Sequence, residues 1–386
     1  MAIVKKVRKL GGRPTFGAAG REASSLRPEF VEQAAPCRLR CPNGTQVREM
    51  LTTLARGAAR GLTTDGAAER AFLILAARNP IPATCGWLCA HHCEDDCSRA
   101  GHDEALAVNQ VERAVGEHAI NRGWALPVLP GEPRAERVAV VGSGAAGLSV
   151  AYQLARRGYQ VTVFEPASEA ESVPSEAGPP GSAVGPALRA GLDASAAPRV
   201  GGELLAAVTE GLLPEEVLHA EIARIAALGV EFARQPWVSA DGFARVVETK
   251  AGSAGGRFVP AALAAAVNFG RIAAERVDAE LRSGTWTAPP PVPAASRARI
   301  RFDHYPHASR PPAAGRALTI DEAIVEAGRC LACGGCLECD NCWKYCPDQA
   351  VVKPLEPGQP YRFRLDFCQG CSKCAEQCPT GYIEMR

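Results

Sequence analysis

Sixteen cysteines, and their positions along the chain, most strongly constrain what this 386-residue sequence can fold into. Six lie between Cys37 and Cys97, ten lie between Cys330 and Cys378, and the long middle of the chain has none. The basic first residues are not followed by the apolar stretch of a signal peptide, so we expect a reducing compartment, the cytoplasm. Cysteines of a reducing compartment bind metals more often than they form disulfides. The pattern therefore predicts two metal-binding ends around a cysteine-free centre.

The C-terminal cysteines contain the spacing C-x2-C-x2-C-x3-C-P twice, ending at Pro347 and at Pro379. Two such runs are typical of two-cluster bacterial ferredoxins, in which the fourth cysteine of each run binds the other cluster. A pair of structural zinc sites is the alternative, but zinc sites rarely show both runs. The predicted ligand sets are Cys336, Cys339, Cys342 and Cys378 for one [4Fe–4S] cluster and Cys346, Cys368, Cys371 and Cys374 for the other.

The N-terminal cysteines form a Cys37-x3-Cys41-Pro42 pair and a second group whose members are four residues apart, Cys85, Cys89, Cys93 and Cys97. By itself this spacing fits a zinc site or an unusual cluster site. Together with the flanking "NPIPATCGWLCAHHCEDDC" and "VNQVER", it resembles the N-terminal domain of the glutamate synthase small subunit, which also opens dihydropyrimidine dehydrogenase. The resemblance covers roughly residues 28–125 and implies a helical domain that holds two [4Fe–4S] clusters.

One part of the family pattern is displaced in this chain. The family has a segment like EA-x-RCL-x-C just before the C-x3-CP pair, whereas no cysteine precedes Cys37 here. The segment "EAGRCLAC", residues 326–333, matches it at the head of the C-terminal cysteines instead. The resemblance therefore implies that Cys330 and Cys333 fold back, from the same chain or from a partner copy, to complete an N-terminal cluster.

The resemblance also implies the ligand sets of the N-terminal clusters, which bring the expected total to four clusters per chain. Three alternatives stand beside these implied ligand sets: Cys330 and Cys333 bind nothing, one N-terminal cluster is lost, or Glu112 is a solvated helix residue and not a ligand. Cys85 is left without an assignment. The implied sets are Cys37, Cys97, Cys330 and Cys333 for one cluster and Cys41, Cys89, Cys93 and Glu112 for the other.

A dinucleotide-binding pattern lies in the middle of the chain, where "RVAVVGSG" predicts a strand, "AAGLSVAYQLARRG" a helix and "QVTVFEP" a second strand. The loop before the helix reads G-x-G-x-x-G, which lets the backbone approach a pyrophosphate at the helix N-terminus. An acidic residue at the end of the second strand is placed for a ribose hydroxyl. The residues of this pattern are Gly142, Gly144, Ala146, Gly147 and Glu165.

The family resemblance makes FAD the expected dinucleotide, with Gly201 and Gly202 in its second flavin-binding stretch. The chain departs from the family in two places. About twenty residues follow Phe232 before the "AGSAGG" stretch, too few for the NADPH domain that the family inserts there, so NAD(P) is not expected. A flavin-holding Asp of the family is replaced by glycine, at Gly256. A degenerate unit that serves only as scaffold is the alternative.

These observations predict an α+β multidomain chain. We expect a helical two-cluster domain with an extended arm at 1–130 and a Rossmann-type FAD domain at 136–284. A proline-rich linker at 285–317 and a two-cluster ferredoxin-like domain at 318–386 complete the organisation. Residues 167–200, rich in Ala, Gly, Ser and Pro, are expected to form a loop.

Composition narrows the function. The formal net charge of +1 gives no sign of nucleic-acid or anionic-membrane binding, and no apolar stretch is long enough to span a membrane. No nucleophile–base or paired-carboxylate motif is present, and four of the seven histidines have no partner pattern as ligands and are expected to be surface or core residues. These histidines are His91, His92, His304 and His307.

The expected function is therefore electron transfer between FAD and a chain of [4Fe–4S] clusters, in a subunit of a larger oxidoreductase. Resemblance to accessory subunits suggests a 2-oxoacid:acceptor oxidoreductase or a similar anaerobic complex as the partner, with ferredoxin as a further candidate. One alternative is a structural adaptor that docks a ferredoxin module beside a degenerate flavin domain. The other is a glutamate synthase-type small subunit or an NAD(P)H:ferredoxin reductase.

Overall fold

The computed structural model describes most of the chain. Glu165, Gly256 and nearly all of the predicted loop at 167–200 lie outside the described part. Within it, no helix combines the length and apolar character needed to cross a membrane. The described residues are 23–164, 200–233, 239–249, 258–282, 284–311 and 316–386.

The first part of the chain is helical, as the spacing of its apolar residues predicts. Thr63 begins one helix by accepting a hydrogen bond from the backbone N–H of Gly66 (3.0 Å), and Pro82 stands in the first turn of the next. Phe72 and Leu75 are fully buried between the helices. The elements are β1 (Pro28–Phe30), α1 (Pro36–Arg40), α2 (Val47–Arg56), α3 (Thr64–Ala76), α4 (Pro82–Leu88), α5 (His92–Asp95) and α6 (Val108–Arg122).

Helices α4 and α6 pack with their backbones almost in contact. A Cβ atom on Gly86 would lie 2.4 Å from the Cα atom of Arg113, and one on Gly116 would lie 2.5 Å from the backbone nitrogen of Ala83. Only glycine fits at either position, because any side chain would force the helices apart. The close approach holds the cysteine-bearing end of α4 against the face of α6 that carries Glu112.

The middle of the chain forms a parallel sheet with helices beside it, and its first β-α-β unit is present as predicted. The strand order is β4-β3-β2-β5, with Val138 aligned to Val161 on one side and to Arg245 on the other. Strand β5 is absent from the sequence-based prediction because its run "RVVE" is very short. The elements are β2 (Arg137–Val141), α7 (Ala145–Ala155), β3 (Gln160–Phe164), α8 (Glu203–Thr209), α9 (Glu215–Ala226), β4 (Glu231–Phe232), β5 (Arg245–Glu248) and α10 (Pro260–Leu281).

A buried carboxylate joins the sheet domain to the helical domain. Glu221 on α9 is fully buried and accepts hydrogen bonds from the backbone N–H groups of Ala83 and Thr84 (2.8 and 2.9 Å). These N–H groups belong to the first turn of α4 and have no partner within their own helix. The negative charge of Glu221 therefore caps α4 from another domain.

The last part of the chain is built from short elements. Its first helix, α11, begins with a capping box between Thr319 and Glu322. Ala323 and Ala327 of α11 are buried in the core of the N-terminal helices, so the start of the predicted 318–386 domain packs with the helical domain. The elements are α11 (Ile320–Ala327), α12 (Asn341–Lys344), β6 (Val351–Val352), β7 (Arg362–Phe363), α13 (Lys373–Glu376) and β8 (Ile383–Met385).

The two ends of the described chain pair with each other. Strand β1 runs antiparallel to β8, with Phe30 opposite Ile383. The ring of Phe30 stacks on Phe363 (centroids 4.5 Å apart) and on Tyr382 (5.2 Å). The described part of the predicted N-terminal arm is thus an edge strand of the C-terminal segment.

Replacing Phe30 by Ala should loosen this strand pair. Each of the two aromatic contacts contributes about 0.5–1.5 kcal/mol, so losing both, about 1–3 kcal/mol, should make the amide hydrogens of β8 exchange about five- to hundredfold faster. Hydrogen exchange read by mass spectrometry measures the effect. Leu26→Ala, at a side chain that is 44% exposed, is the control. Equal exchange of β8 in the two variants would contradict the role given to Phe30.

Candidate iron–sulfur and dinucleotide sites

The structure gathers the cysteines into four groups. Site 1 is a cavity lined by four cysteines, Glu112 and His92, and site 2 is a cavity between the N-terminal helices and the segment after α11. Sites 3 and 4 lie in the C-terminal segment. Site 1 contains Cys41, Cys85, Cys89, Cys93 and Glu112; site 2 contains Cys37, Cys97, Cys330 and Cys333; site 3 contains Cys336, Cys339, Cys342 and Cys378; site 4 contains Cys346, Cys368, Cys371 and Cys374.

Site 2 brings together, within one chain, cysteines that are almost three hundred residues apart. Its cavity encloses about 360 Å³ of empty space, counting its opening to solvent. Burial raises the pKa of the Cys37 thiol well above its usual value, and the nearby thiols of Cys330, Cys333 and Cys97 raise it further. Four converging thiols that repel one another as thiolates suit a multi-iron centre, which supplies the missing positive charge.

Buried ion pairs hold Cys330 and Cys333 in place. Glu326 accepts from the backbone N–H of Ala107 (2.7 Å) and from Arg329 (2.8 Å). Arg329 also donates to Asp103 (3.1 Å), and Arg99 donates to the carbonyl oxygen of Arg329 (2.9 Å). Glu326, Arg329 and Arg99 are each at most 5% exposed. The "EAGRCLAC" segment is therefore fixed to the N-terminal helices by its own charged residues.

Site 1 contains two potential donors more than the sequence predicts, Cys85 and His92. Cys85, left unassigned by the spacing, lines the same cavity as Cys89 and Glu112. The two cysteines are four residues apart, and that helical spacing could have indicated a shared face. Glu112 is half-buried rather than solvated, and it accepts a hydrogen bond from Asn79 (3.0 Å). Burial raises the pKa of its carboxyl group to about 7.

Sites 3 and 4 show the crossed arrangement that the repeated run predicts. Cys378, the last cysteine of the second run, lines the cavity of Cys336, Cys339 and Cys342, and Phe30 lines it as well. Burial is the main cause of the raised pKa of Cys368 and of Cys374, and the nearby thiol of Cys346, the last cysteine of the first run, adds to both shifts, which puts it beside the cysteines of the second run.

Backbone N–H groups point at several of these sulfur atoms. Glu338 donates to Cys336 (3.4 Å), Ala350 to Cys346 (3.2 Å) and Gly370 to Cys368 (3.4 Å). Such N–H groups stabilise negative charge on sulfur, and hydrogen bonds to sulfur are one of the levers that set a cluster's potential. The donor sets and their surroundings therefore fit [4Fe–4S] clusters.

Two side chains lie between sites 2 and 3. Arg48, which is buried, donates to the carbonyl oxygens of Cys333 (2.9 Å) and Gln33 (2.7 Å). The hydroxyl group of Tyr305 donates to the carbonyl oxygen of Leu331 (2.8 Å). Burial raises the pKa of Tyr305, and thiols of both sites add to this shift, first those of Cys333 and Cys330. The two sites are therefore electrostatic neighbours.

The glycine-rich loop adopts the geometry of a dinucleotide site. Gly142 has φ +100°, and a Cβ atom on Gly147 would lie 1.8 Å from the carbonyl oxygen of Gly142. Gly201 donates its N–H to the hydroxyl group of Ser143 (2.7 Å), and Gly202 lies against the backbone of Gly144. Gly201 and Gly202, from the second flavin-binding stretch, therefore contact the glycine-rich loop. Glu165 lies outside the described residues.

Helix α10 connects this loop to site 1. Its Gly270 packs so closely on α7 that a Cβ atom would lie 2.2 Å from the carbonyl oxygen of Ala146. Ser149 on α7 donates to the carbonyl oxygen of Val267 (2.7 Å), and Val267 and Ala264 also line site 1. One helix therefore touches both the dinucleotide helix and the first cysteine cavity.

One residue of the dinucleotide site was missed by the sequence analysis. Glu203 follows the Gly201–Gly202 pair, is 8% exposed, and accepts a hydrogen bond from the backbone N–H of Ala145 (3.0 Å). Its carboxylate therefore lies at the N-terminus of α7, beside Gly144. The loop and helix fit a dinucleotide, whereas the anion position already has a carboxylate beside it. An acidic residue directly after a glycine pair was the available signal.

The histidines form no centre comparable to the cysteine groups. His307 stacks on His102 (4.0 Å between ring centroids), and Asp103 is close enough to join them around a metal ion. The carboxylate of Asp103 is already bound by Arg99 and by Arg329. The trio is therefore better explained by packing and ion pairing than by metal binding.

Two family models match the chain in the regions just described. Residues 30–124 match dihydropyrimidine dehydrogenase domain II, a 4Fe-4S cluster domain. Residues 137–178 match the FAD dependent oxidoreductase model. The first match covers sites 1 and 2 apart from Cys330 and Cys333, and the second covers the glycine-rich loop.

Relatives from several bacteria align with parts of the chain. The beta subunit of an NADP(+)-dependent formate dehydrogenase from Moorella thermoacetica is 30% identical over 55% of this chain and 27% of its own length. The NADPH-Fe(3+) oxidoreductase beta subunit of Geobacter sulfurreducens is 29% identical over 35% of this chain and 19% of its own length. The glutamate synthase [NADPH] small chain of Mycobacterium tuberculosis is 37% identical over 33% of this chain and 25% of its own length.

The chain thus spans at most 27% of the length of these three relatives. Within that span the cofactor types agree with the predicted ones, namely 4Fe–4S clusters and FAD. The resemblance to the glutamate synthase small chain is thereby confirmed: residues 30–124 match the dihydropyrimidine dehydrogenase domain II model, and residues 137–178 match the FAD dependent oxidoreductase model.

Proposed function

We propose that this chain is an electron-transfer subunit of a larger oxidoreductase, with four [4Fe–4S] clusters at sites 1 to 4 and FAD at the glycine-rich loop. Bound clusters supply one-electron transfer, and FAD couples it to two-electron chemistry. The observation that carries the proposal is the continuous series formed by the four cysteine groups. The residues of the chain hold these groups next to one another, exclude water and set the local charge.

Each site shares a short piece of backbone with the next. Cys37 of site 2 lies in the first turn of α1 and Cys41 of site 1 directly follows its last residue, so about 6 Å of helical rise lies between them. Cys333 of site 2 and Cys336 of site 3 are three residues apart, which limits their Cα atoms to about 11 Å. Cys342 of site 3 and Cys346 of site 4 are four residues apart. The order is therefore site 1, site 2, site 3, site 4.

The two ends of the series differ in their surroundings. Site 1 is next to α10, which packs on the dinucleotide helix. Towards the other end Cys336 of site 3 is exposed, and the large side chains of Trp343 and Tyr345, which lie between the last site 3 cysteine of the first run and Cys346 of site 4, are 42% and 54% exposed. This difference supports a series that begins at the flavin domain and ends at a surface open to a partner.

Fixed charges along the series of sites set the relative stability of the oxidised and reduced states of the neighbouring centres. The buried guanidinium of Arg48 lowers the pKa of Cys330 and of Cys333, against the larger effect of burial, which raises both. A positive charge at this position favours the more negative, reduced state of a neighbouring centre. Arg48 therefore acts as a positioning and tuning residue between sites 2 and 3.

We infer only the class of protein to which the partner belongs. The relatives are named as subunits of a formate dehydrogenase, an NADPH-Fe(3+) oxidoreductase and a glutamate synthase, which supports a catalytic oxidoreductase subunit as partner. A 2-oxoacid:acceptor oxidoreductase is one candidate, and ferredoxin is another. The single G-x-G-x-x-G loop is the reason to propose that NAD(P) does not bind this chain, although relatives carry NADP or NADPH in their names. Thiolate ligands suit a reducing compartment, which supports a cytoplasmic location.

The structural adaptor remains the second candidate because of one observation, the carboxylate of Glu203 beside the expected pyrophosphate position. An adaptor would keep its clusters and lack flavin.

Cofactor analysis of the anaerobically purified full chain tests the proposal. We expect about sixteen iron ions per chain, four for each cluster, and a flavin absorption band. Full iron without flavin would favour the adaptor. Zinc in stoichiometric amount would contradict the cluster assignment, and rapid bleaching of the flavin by NADPH would contradict the absence of NAD(P) binding.

Replacing both Cys330 and Cys333 by Ser should remove the site 2 cluster and leave sites 3 and 4 loaded, because their eight cysteines are unchanged. Electron paramagnetic resonance should lose the same signal that Cys37→Ser removes. Ligand losses at one site are not additive, so the triple variant should lack no further cluster. Loss of a different signal, or of none, would contradict the assignment.

A second set of variants separates the candidate ligands of site 1. If Glu112 is the fourth ligand, Glu112→Ala should remove or convert the site 1 cluster, whereas Cys85→Ser should keep it. Glu112→Gln, which retains an oxygen donor, is the conservative control. The readout is the iron content together with the magnetic resonance signal. Retention in Glu112→Ala with loss in Cys85→Ser would transfer the ligand role to Cys85.

A further inference from the structure

We propose that Glu203 competes with the pyrophosphate of FAD: its carboxylate occupies the anion position at the N-terminus of α7 and must move before the dinucleotide can bind. The inference rests on the proposed FAD site. It adds to that site a residue of this chain that weakens binding and makes it dependent on a local rearrangement.

The first observation is the hydrogen bond that Glu203 accepts. The backbone N–H of Ala145 is the first N–H of α7, and it donates to Oε1 of Glu203 at 3.0 Å. The first N–H groups of a helix have no partner within the helix and carry partial positive charge. A dinucleotide uses these groups to bind its pyrophosphate. A carboxylate bonded to one of them takes the place of the phosphate oxygen.

The second observation is the space that Gly144 leaves open. Gly144 is the second glycine of the loop, the one whose missing side chain lets a pyrophosphate approach the backbone. A Cβ atom on Gly144 would lie 1.8 Å from Oε2 of Glu203. The space that the fingerprint reserves for the cofactor is therefore filled by the carboxylate.

Glu203 is held in this position by the backbone before it. Gly201 has φ +140° and Gly202 has φ +48°, conformations that residues with side chains rarely adopt, and they turn the chain sharply into α8. Leu204 and Ala207 of α8 are fully buried, which anchors the helix. Glu203 can leave the loop through its own side-chain rotation or through a shift of α8, and the first requires less rearrangement of the core.

The charges decide the sign of the effect. A carboxylate and a pyrophosphate are both negative, so they repel each other at the short distances that one helix N-terminus imposes. Bound FAD and the observed position of Glu203 therefore exclude each other. Removing the charge without changing the shape should favour FAD.

The test measures FAD binding to the full chain, loaded with clusters and freed of flavin, through quenching of flavin fluorescence. Glu203→Gln removes the charge and is nearly isosteric. Glu210→Gln, at an exposed residue that follows the same helix, is the matched control. We expect Glu203→Gln to lower the Kd for FAD at least about tenfold, and Glu210→Gln to leave it unchanged.

ADP serves as a second probe because it has the pyrophosphate and adenosine but lacks the flavin. If the competition is for the pyrophosphate position, its Kd should fall by a similar factor in Glu203→Gln. An unchanged or larger Kd for FAD in that variant would overturn the proposal, and a larger one would make Glu203 a ligand of FAD instead. Iron content and circular dichroism verify that each variant is folded and loaded.

Failure of this inference is distinguishable from failure of the proposed function. If neither the unmodified chain nor Glu203→Gln binds FAD while both carry full iron, the competitor role is refuted and the adaptor is favoured. If iron is also missing from the anaerobically purified chain, the electron-transfer function itself is refuted.

Discussion

The rest of the structure depends on the buried charge network that docks residues 318–333 onto the N-terminal helices. Glu326 and Arg329 bind Asp103, Arg99 and the start of α6, and breaking a buried pair of this kind typically costs about 3–5 kcal/mol because one charge is left without a partner. The docking closes site 2 with Cys330 and Cys333. It also fixes where the next cysteines can be, since Cys336 follows after three residues. Strand β1, near the start of the described chain, pairs with β8 near its end and so joins the two ends of the chain a second time.

Local patterns in the sequence predicted the N-terminal helices and the β-α-β unit, because each depends on residues close in sequence. The crossed grouping of sites 3 and 4 followed instead from the twice-repeated cysteine spacing, since Cys378 is 36 residues after Cys342. The grouping of Cys330 and Cys333 with Cys37 and Cys97 followed from a family resemblance, and no local periodicity encodes such a distant contact. Strand β5 was missed because four residues give too little alternation to recognise. Glu203 was missed because its importance arises only when α8 folds back onto the glycine-rich loop. Cys85 was left without an assignment, although its place one helical turn before Cys89 could have indicated that the two share a face.

The glycine-rich loop shows why the fingerprint alone does not decide between a flavin site and a scaffold. Gly147 is required by packing, because a side chain there would collide with the carbonyl oxygen of Gly142. Gly142 is required by its positive φ. These two glycines would be needed for the strand–helix junction with or without a cofactor. Gly144 is different, since its missing side chain makes room for an anion. In this chain that anion is the carboxylate of Glu203. Gly144 is therefore informative about function, whereas Gly142 and Gly147 are informative only about the fold.

The same electrostatic reasoning links the cysteine groups to their cofactors. Burial raises the pKa of at least one thiol in every site, to about 12 for Cys89, Cys330, Cys342 and Cys374, so these four groups stay neutral near pH 7 while no cation is beside them. Binding a cluster requires thiolates and therefore releases protons, which makes loading more favourable as the pH rises. Neutral thiols cost little to bury, whereas thiolates would repel one another strongly. The fold can therefore bring the thiols of each site together before iron arrives, and the cofactor then supplies the positive charge that stabilises them as ligands.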